Sequence, residues 1–184
     1  MTLVRPVRIV AISGSLRRAS SNSALIAAAV RCTPPDVDVA VYDDLANIPP
    51  FNQDLDTDTP PDPVRRLRAA LDACDALVIS SPEYAHGVPG VLKNALDWVV
   101  ASGELIDKPV ALINASTRAT HAWHALVEIL TTMSARVIPE ASITIPFDGS
   151  DMDEHGIFPP RTSHSLRAAL DALANTCAGL APKE

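Results

Sequence analysis

The chain contains few cysteines and few aromatic residues, and it has no long apolar run. Its three cysteines, Cys32, Cys74 and Cys177, are odd in number and widely spaced, and none belongs to a Cys-x-x-Cys pair. This pattern argues against a disulfide framework and against a thiolate metal site. No run approaches the roughly 20 apolar residues of a membrane span, and the N-terminus shows no signal-peptide core. We therefore expect a cytoplasmic protein without a membrane segment.

Glycine is also scarce, since only 7 of the 184 residues are glycine. The sequence has neither the glycines of a Walker loop nor those of a Gly-x-Gly-x-x-Gly dinucleotide fingerprint. Basic residues are outnumbered, and the net charge of −7 argues against nucleic acid and against an anionic membrane surface as partners. The length and the 47% hydrophobic content predict a single domain over residues 1–184.

Short apolar runs alternate with helical patterns along the chain, which implies right-handed crossovers and a parallel sheet covered on both faces. The sequence therefore predicts an α/β fold: a flavodoxin-like three-layer sandwich with a five-stranded parallel sheet in the order 2-1-3-4-5. The predicted strands are Val7–Ile12, Val37–Tyr42, Ala76–Ser80, Val110–Asn114 and Ala141–Pro146. The predicted helices are one that starts near Ser21 or Asn22, Pro63–Ala73, Pro89–Ala101, one that ends near Met133, and Thr162–Ala178. Two stretches are predicted to be irregular, Asp43–Asp62 and Phe147–Pro160.

The loop after the first strand, Ser13–Ser23, is rich in groups that bind anions. It holds five serines, one asparagine and two arginines, and the following helix points its unpaired N–H groups and positive dipole end into it. Together these groups are typical of a cradle for a phosphate dianion, as in a mononucleotide site. The alternative is that Ser21 and Asn22 act only as N-caps.

In the predicted topology, three polar loops meet beyond the carboxyl ends of the strands, beside the switch between strands one and three. They are residues 13–23, 81–87 and 115–118. The middle loop suits a flat aromatic ligand because Tyr84 offers a π-face, and we expect the N–H groups of Glu83 and Tyr84 to meet polar atoms of a ring. Taken alone, Tyr84 is more simply interpreted as an ordinary surface aromatic, and the neighbouring phosphate loop reverses this interpretation.

Two motifs carry a resemblance to a known family. They are Gly14-Ser15-Leu16-Arg17-x-x-Ser20-x-Asn22 and Pro82-Glu83-Tyr84-x-x-x-Val88-Pro89-Gly90-x-Leu92-Lys93-Asn94-Ala95-Leu96-Asp97-Trp98. With the matching strand order, the chain closely resembles the NADPH-dependent FMN reductases from about Val7 to Ile145. This flavodoxin-like group includes quinone, azo-dye and chromate reductases.

The resemblance implies which residues bind FMN. The phosphate would be held by Ser15, Arg17, Ser20, Asn22 and Ser23, and the isoalloxazine would be lined by Pro82, Glu83, Tyr84, Ala85 and His86. In the third loop, where many members are rich in glycine, this chain has Ala115-Ser116-Thr117-Arg118-Ala119-Thr120, and Ser116 and Arg118 are the expected contacts. His86 could also be a simple turn residue.

The resemblance further implies an oxidoreductase that uses FMN, with NADPH or NADH as electron donor, to reduce free flavin, quinones or similar small acceptors. No catalytic side chain is implied, because the flavin carries the chemistry. It also implies a homodimer or homotetramer, with the loop Asn47–Pro61 and the helix bearing Lys93 in the contact. Two alternatives stay open: a flavodoxin-type electron carrier that serves a protein partner, and a sensory flavin-binding module without turnover.

Two histidines have a spacing that could place two metal ligands on one helix face. His121 and His124 lie three residues apart at the start of a predicted helix. No cysteine or carboxylate lies in register with them, so we predict no metal site and expect histidines on a helix surface.

Overall fold

A parallel sheet forms the middle layer of the computed structural model, which describes residues 5–147, 152 and 157–178. The strands are β1 (Val7–Ser13), β2 (Val37–Tyr42), β3 (Ala76–Ser80), β4 (Pro109–Asn114), β5 (Arg136–Val137) and β6 (Ile143–Thr144). The helices are α1 (Ser21–Arg31), α2 (Asp62–Ala73), α3 (Gly90–Asp97), α4 (Thr120–Thr132) and α5 (Pro160–Ala178).

The strands are ordered β2-β1-β3-β4-β5, and β6 also pairs with β4. The predicted fold and strand order are therefore confirmed. The predicted fifth strand, Ala141–Pro146, is shorter than expected, and β5 is an addition. Between β5 and β6, the chain turns away from its neighbour β4. The turn begins at Pro139, which has no N–H to donate to another strand. Within this interruption, the Ser142 hydroxyl accepts the Leu112 N–H at 3.1 Å.

Two hydrophobic cores lie on opposite faces of the sheet. Alternate residues of β1 and β3 point to each face, as strand geometry requires. On one face, Val10 and Leu77 pack with residues of α2, α3 and α4. On the other, Ile9 and Val78 pack with residues of α1 and α5. This sandwich fixes the carboxyl ends of β1, β3 and β4 side by side, which is where the three polar loops begin.

Helix α3 ends at Asp97, earlier than the predicted Ala101. After Trp98 the next two backbone bonds reach only three residues back: the Val99 N–H donates to the Leu96 carbonyl at 3.1 Å, and the Val100 N–H donates to the Asp97 carbonyl at 3.4 Å. The Trp98 carbonyl accepts from the Arg68 guanidinium, with Nε at 3.2 Å. Trp98 itself is fully buried. The regular part of α3 therefore ends in a tighter turn, next to a contact with α2 that a sequence pattern cannot show.

Asp75, just before β3, clamps the start of β1. Its carboxylate accepts from both terminal nitrogens of Arg5, at 2.6 and 2.7 Å, and from the Arg8 N–H at 2.8 Å. The hydrogen bonds from Arg5 lower the pKa of Asp75 more than burial raises it, and the Arg8 N–H adds to the lowering. A carboxyl whose pKa is lowered by folding stabilises the native state above its unfolded pKa, and this stabilisation is lost as the pH falls through the folded pKa.

We expect Asp75→Asn to cost about 1 kcal/mol of unfolding free energy at pH 7, because it removes charge-assisted hydrogen bonds. The variant should also lose less stability than the wild type as the pH falls below about 4, which is near the unfolded pKa of Asp. Urea unfolding across this range measures both effects. Asp72→Asn, on the exposed face of α2, is the control and should follow the wild type. Equal acid slopes for Asp75→Asn and wild type would contradict the role of the clamp.

Candidate functional site

A cavity of about 330 Å³ lies where the three polar loops meet. It is bounded by the start of α1, by the loop after β3 and by the loop after β4. The three loops therefore meet at one place, as the sequence predicted. The residues that line it are Ser21, Asn22, Ser81, Pro82, Glu83, Asn114, Ala115, Ser116, Arg118, Ala119 and Phe147. Five of the predicted binding residues are among them: Asn22, Pro82, Glu83, Ser116 and Arg118.

The start of α1 forms one wall of this cavity. Ser20 is the N-cap, and its hydroxyl accepts the Ser23 N–H at 3.3 Å. The alternative that Ser21 and Asn22 are only N-caps is therefore wrong, and both residues line the cavity instead. Ser21 was not among the predicted binding residues. Its position directly after an N-cap is the signal for it, because the first helical N–H groups always lack an intrahelical acceptor.

The orphan N–H groups of α1 make this wall suited to an anion. Among the described residues, the backbone N–H groups of Ser21 and Asn22 donate to no acceptor in the protein. They lie at the positive end of the helix dipole and at the cavity surface. This combination is a ready-made anion site.

Asn22 is held rigidly at the base of the wall. It is buried, and its Oδ1 accepts from the Ser80 hydroxyl at 2.9 Å. Ser80 ends β3, so this bond joins α1 to the strand beneath the cavity. Within the described chain, the Asn22 Nδ2 has no hydrogen-bond partner. Its N–H bonds are thus available to a ligand in the cavity.

The other predicted phosphate-binding residues bond within their own loop. The hydroxyls of Ser13 and Ser23 are 2.9 Å apart, and the Ser15 hydroxyl accepts the Arg17 N–H at 3.3 Å. The Arg17 guanidinium is exposed and donates through Nε to the Ala19 carbonyl at 2.8 Å. None of the four predicted residues Ser15, Arg17, Ser20 and Ser23 lines the cavity, and their phosphate role stays a prediction.

Gly14 permits the first and middle loops to approach each other. A Cβ at this position would lie 3.0 Å from the Ser81 hydroxyl oxygen and 3.1 Å from Leu92 Cδ2. Both distances are shorter than ordinary contacts, so a side chain here would force Ser81 and Leu92 to move by a few tenths of an ångström. The Gly14 N–H also donates to the Ser80 carbonyl at 2.8 Å. The glycine of the first motif therefore fixes the spacing between two walls of the cavity.

The middle loop contains a tight turn at Tyr84–Gly87. The Tyr84 N–H donates to the Gly87 carbonyl at 3.1 Å, and the Gly87 N–H donates back at 3.0 Å. The expectation that the Tyr84 N–H meets a ligand is therefore wrong, because the turn already uses it. Ala85 and His86 have φ values of 49° and 59°, which cost roughly 1 kcal/mol each in residues other than glycine. The side chains of Tyr84, Ala85 and His86 are exposed, and none of them lines the cavity.

Glu83 ties the middle loop to the third. Helix α4 has no side-chain cap of its own at Ala119. Instead, Glu83 Oε2 accepts the Ala122 N–H of its first turn at 2.9 Å. A carboxylate at the positive end of a helix also complements the dipole. Glu83 therefore holds two walls of the cavity together, a role that its predicted place beside a flavin ring did not include.

We expect Glu83→Ala to lower the free energy of unfolding by about 1 kcal/mol, as loss of a helix cap usually does. Glu83→Gln keeps an acceptor oxygen and should recover part of this loss. Urea unfolding measures both, with Glu128→Ala on the exposed face of α4 as the control. A Glu83→Ala variant as stable as Glu128→Ala would show that the cap contributes nothing.

The third loop is shaped by its own polar side chains. Asn114 Oδ1 accepts the Ser116 N–H at 3.1 Å, and its Nδ2 donates to the Ala119 carbonyl at 3.2 Å. The Ser116 hydroxyl accepts the Arg118 N–H at 3.2 Å. These bonds place Ser116 and Arg118 at the cavity. The buried Asn114, which sequence reasoning missed, organises this loop.

A pair of histidines stands where the middle loop meets α4. The rings of His86 and His121 are stacked, with centroids 4.2 Å apart and planes 19° from parallel. Both residues are exposed. The contact is the second link, after Glu83, between the turn and the first residues of α4.

The polar residues in the later part of the second motif, from Lys93 to Trp98, do not line the cavity. Asn94 Oδ1 accepts the Phe51 N–H at 2.7 Å, and its Nδ2 donates to the Pro49 carbonyl at 2.9 Å. The Trp98 indole N–H donates to the same carbonyl at 2.8 Å. These residues anchor the irregular stretch between β2 and α2. Lys93 pairs with Asp97 on the helix surface.

Comparison with known proteins agrees with this architecture. Residues 7–149 match the family described as NADPH-dependent FMN reductase. An NAD(P)H-dependent FMN reductase of Pseudomonas aeruginosa is 38% identical over 60% of this chain and 60% of its own. A 2-hydroxy-1,4-benzoquinone reductase of a Burkholderia species is 31% identical over 91% of this chain and 94% of its own. In the first of these relatives, the match thus spans only about three fifths of the protein.

Among solved structures, the flavoenzyme NAD(P)H:(acceptor) oxidoreductase of Paracoccus denitrificans superposes with a TM-score of 0.83. The alignment covers 94% of this chain and 97% of that one at 24% identity, which supports the fold. Within the described residues, no helix is long and apolar enough to cross a membrane.

Proposed function

We propose that this chain, which belongs to the NADPH-dependent FMN reductase family, binds FMN in the cavity at the start of α1 and reduces small acceptors with electrons from NADPH or NADH. The observation that carries the proposal is the meeting of three loops around the orphan N–H groups of Ser21 and Asn22. The acceptors are free flavin, quinones or similar planar molecules, in keeping with the quinone and FMN reductases among its relatives.

The donor set at α1 fits the phosphate of FMN. Two backbone N–H groups, the Ser21 hydroxyl and the Asn22 Nδ2 all lie at one wall of the cavity. A dianion there gains from the helix dipole as well as from these donors. Ser15, Arg17, Ser20 and Ser23 complete the proposed phosphate site from the surrounding loop, with Arg17 exchanging its bond to the Ala19 carbonyl for one to the phosphate.

The remaining walls fit a flat ring. Pro82 and Glu83 on one side and Ser116 and Arg118 on the other line the same cavity. The Glu83 N–H has no acceptor among the described residues, so it can donate to a polar ring atom. Tyr84, Ala85 and His86 form the proposed outer rim beside the ring.

The protein's part in the reaction is binding, orientation and control of access. When bound, FMN supplies reversible hydride transfer, which no side chain of this cavity offers. The rigid turn and the Glu83 link hold the opening in place, so that nicotinamide and acceptor enter in turn over one exposed face.

We place the protein in the cytoplasm as one 184-residue domain, and as a homodimer or homotetramer that uses the loop Asn47–Pro61 and the helix of Lys93.

The test is the absorption spectrum of purified protein with FMN, recorded before and after anaerobic addition of NADPH or NADH. We expect a bound-flavin spectrum that is bleached by the nicotinamide alone, and steady nicotinamide oxidation when a quinone is added. Protein that stays colourless in excess FMN would overturn the proposal. Flavin that binds but is bleached only with a second enzyme would identify an electron carrier, and bleaching without turnover would identify a sensory module.

A further inference from the structure

We propose that His86 and His121 form a proton-donating pair that serves the acceptor during quinone reduction; this inference rests on the proposed function. The two rings are stacked with centroids 4.2 Å apart. His86 lies in the loop after β3, which lines the cavity, and His121 lies in the first turn of α4, two residues after the lining residue Ala119. Among the described residues, neither imidazole has a hydrogen-bond partner, so their nitrogens are available to an incoming molecule.

The neighbouring polar groups are poor sources of a proton. The Glu83 carboxylate already accepts the Ala122 N–H, and arginine side chains are not deprotonated in proteins. Histidine is the side chain whose ordinary charge change lies near neutrality. Besides the pair, the charged and titratable groups on the middle loop and on α4 are Glu83, Tyr84, His124 and Glu128, and Arg118 lies in the loop just before α4.

The backbone holds His86 in a conformation that residues other than glycine seldom adopt. Ala85 and His86 both have left-handed φ values, which cost free energy outside glycine and cluster at functional sites. The turn holds this geometry through its two backbone hydrogen bonds, and Glu83 fastens the turn to α4. The ring of His86 is therefore presented to His121 by a rigid support.

In the proposed step, a quinone becomes a hydroquinone by gaining one hydride and one proton. The hydride comes from the reduced cofactor, which returns to its oxidised form. The proton leaves an imidazolium N–H of the pair as the O–H bond of the hydroquinone forms, and the imidazole then takes a proton from water. Reduction of ferricyanide needs electrons but no proton, so it does not require the pair.

The experiment compares 1,4-benzoquinone with ferricyanide in the FMN-loaded protein. His121→Phe keeps an aromatic ring over His86 but carries no proton, and we expect it to lower kcat for the quinone roughly 100-fold, the usual range for general acid catalysis. The ferricyanide rate should stay within about twofold. His86→Asn is the second variant, because asparagine tolerates the left-handed φ of this position. His124→Gln, three residues along α4, is the matched control and should resemble the wild type.

A second readout is independent of turnover. In FMN-loaded protein without nicotinamide, added hydroquinone should shift the imidazole nitrogen signals of His86 and His121 in NMR spectra, but not those of His124. Unchanged quinone turnover in His121→Phe, or equal losses with both acceptors, would overturn the pair and leave only a structural stack. If wild type reduces neither acceptor, the proposed function itself fails.

Discussion

Replacing Arg68 with methionine is expected to lower the free energy of unfolding by about 3 kcal/mol, which is about 9 °C in Tm for a domain of this size. The Arg68 guanidinium donates to Asp56 Oδ1 at 2.7 Å and to the Trp98 carbonyl, and lies 3.9 Å from Glu104 Oε1. The side chains of Arg68, Asp56 and Glu104 are only 16%, 12% and 11% exposed. Removing the arginine therefore leaves the largely buried Asp56 carboxylate and the Trp98 carbonyl without this donor, and takes a counter-charge away from Glu104.

A matched control lies one turn away on the same helix. Arg65 pairs with Asp62, but the two side chains are 61% and 73% exposed. Such a surface pair contributes little, so Arg65→Met should cost less than about 0.5 kcal/mol. Urea unfolding of both variants gives the comparison. Equal losses would mean that burial of the Arg68 network adds nothing to its strength.

The loss in Arg68→Met should reach beyond α2. Asp56 belongs to the irregular stretch between β2 and α2, while Trp98 follows α3, so Arg68 links three segments. Asn94 and Trp98 bind the same stretch at Pro49 and Phe51. Amide exchange of residues 47–61 should therefore rise in the variant more than exchange in β1 and β3, whose amides lie inside the sheet.

The fold could be predicted because its signals are local. Strands buried on both faces appear as continuous apolar runs, and β2 and β3 have the predicted bounds. The meeting of the three loops then follows from topology alone. The last strand was harder to predict, because β5 and β6 are only two residues each. Between them, the Leu112 N–H of β4 donates to the Ser142 hydroxyl rather than to a backbone carbonyl.

The details of the site could not be predicted in the same way. Ser20, Ser21 and Ser23 all favour an N-cap, and only the structure selects Ser20. The partner of Glu83 lies 39 residues away at Ala122. The turn that uses the Tyr84 N–H depends on left-handed φ values at Ala85 and His86, residue types that give no sign of such a turn.

Ser21→Asp is expected to change stability and FMN binding in opposite directions. A carboxylate at the first position of α1 complements the helix dipole, so the apoprotein should gain about 0.5 kcal/mol of unfolding free energy. The same carboxylate would face the proposed phosphate inside the cavity that Ser21 lines. At an effective dielectric constant near 20, like charges about 5 Å apart repel by several kcal/mol, and FMN affinity should fall at least about 100-fold.

Two controls separate charge from shape. Ser21→Asn matches the size of the aspartate without its charge, and should bind FMN within about tenfold of the wild type. Riboflavin has the same ring and no phosphate, so its affinity should be similar in Ser21→Asp and Ser21→Asn. Fluorescence quenching titrations of the apoproteins measure the affinities of the wild type and both variants for FMN, and of both variants for riboflavin. If Ser21→Asp weakened riboflavin as much as FMN, the start of α1 would face some other part of the flavin, and the orphan N–H groups of Ser21 and Asn22 would not be the phosphate site.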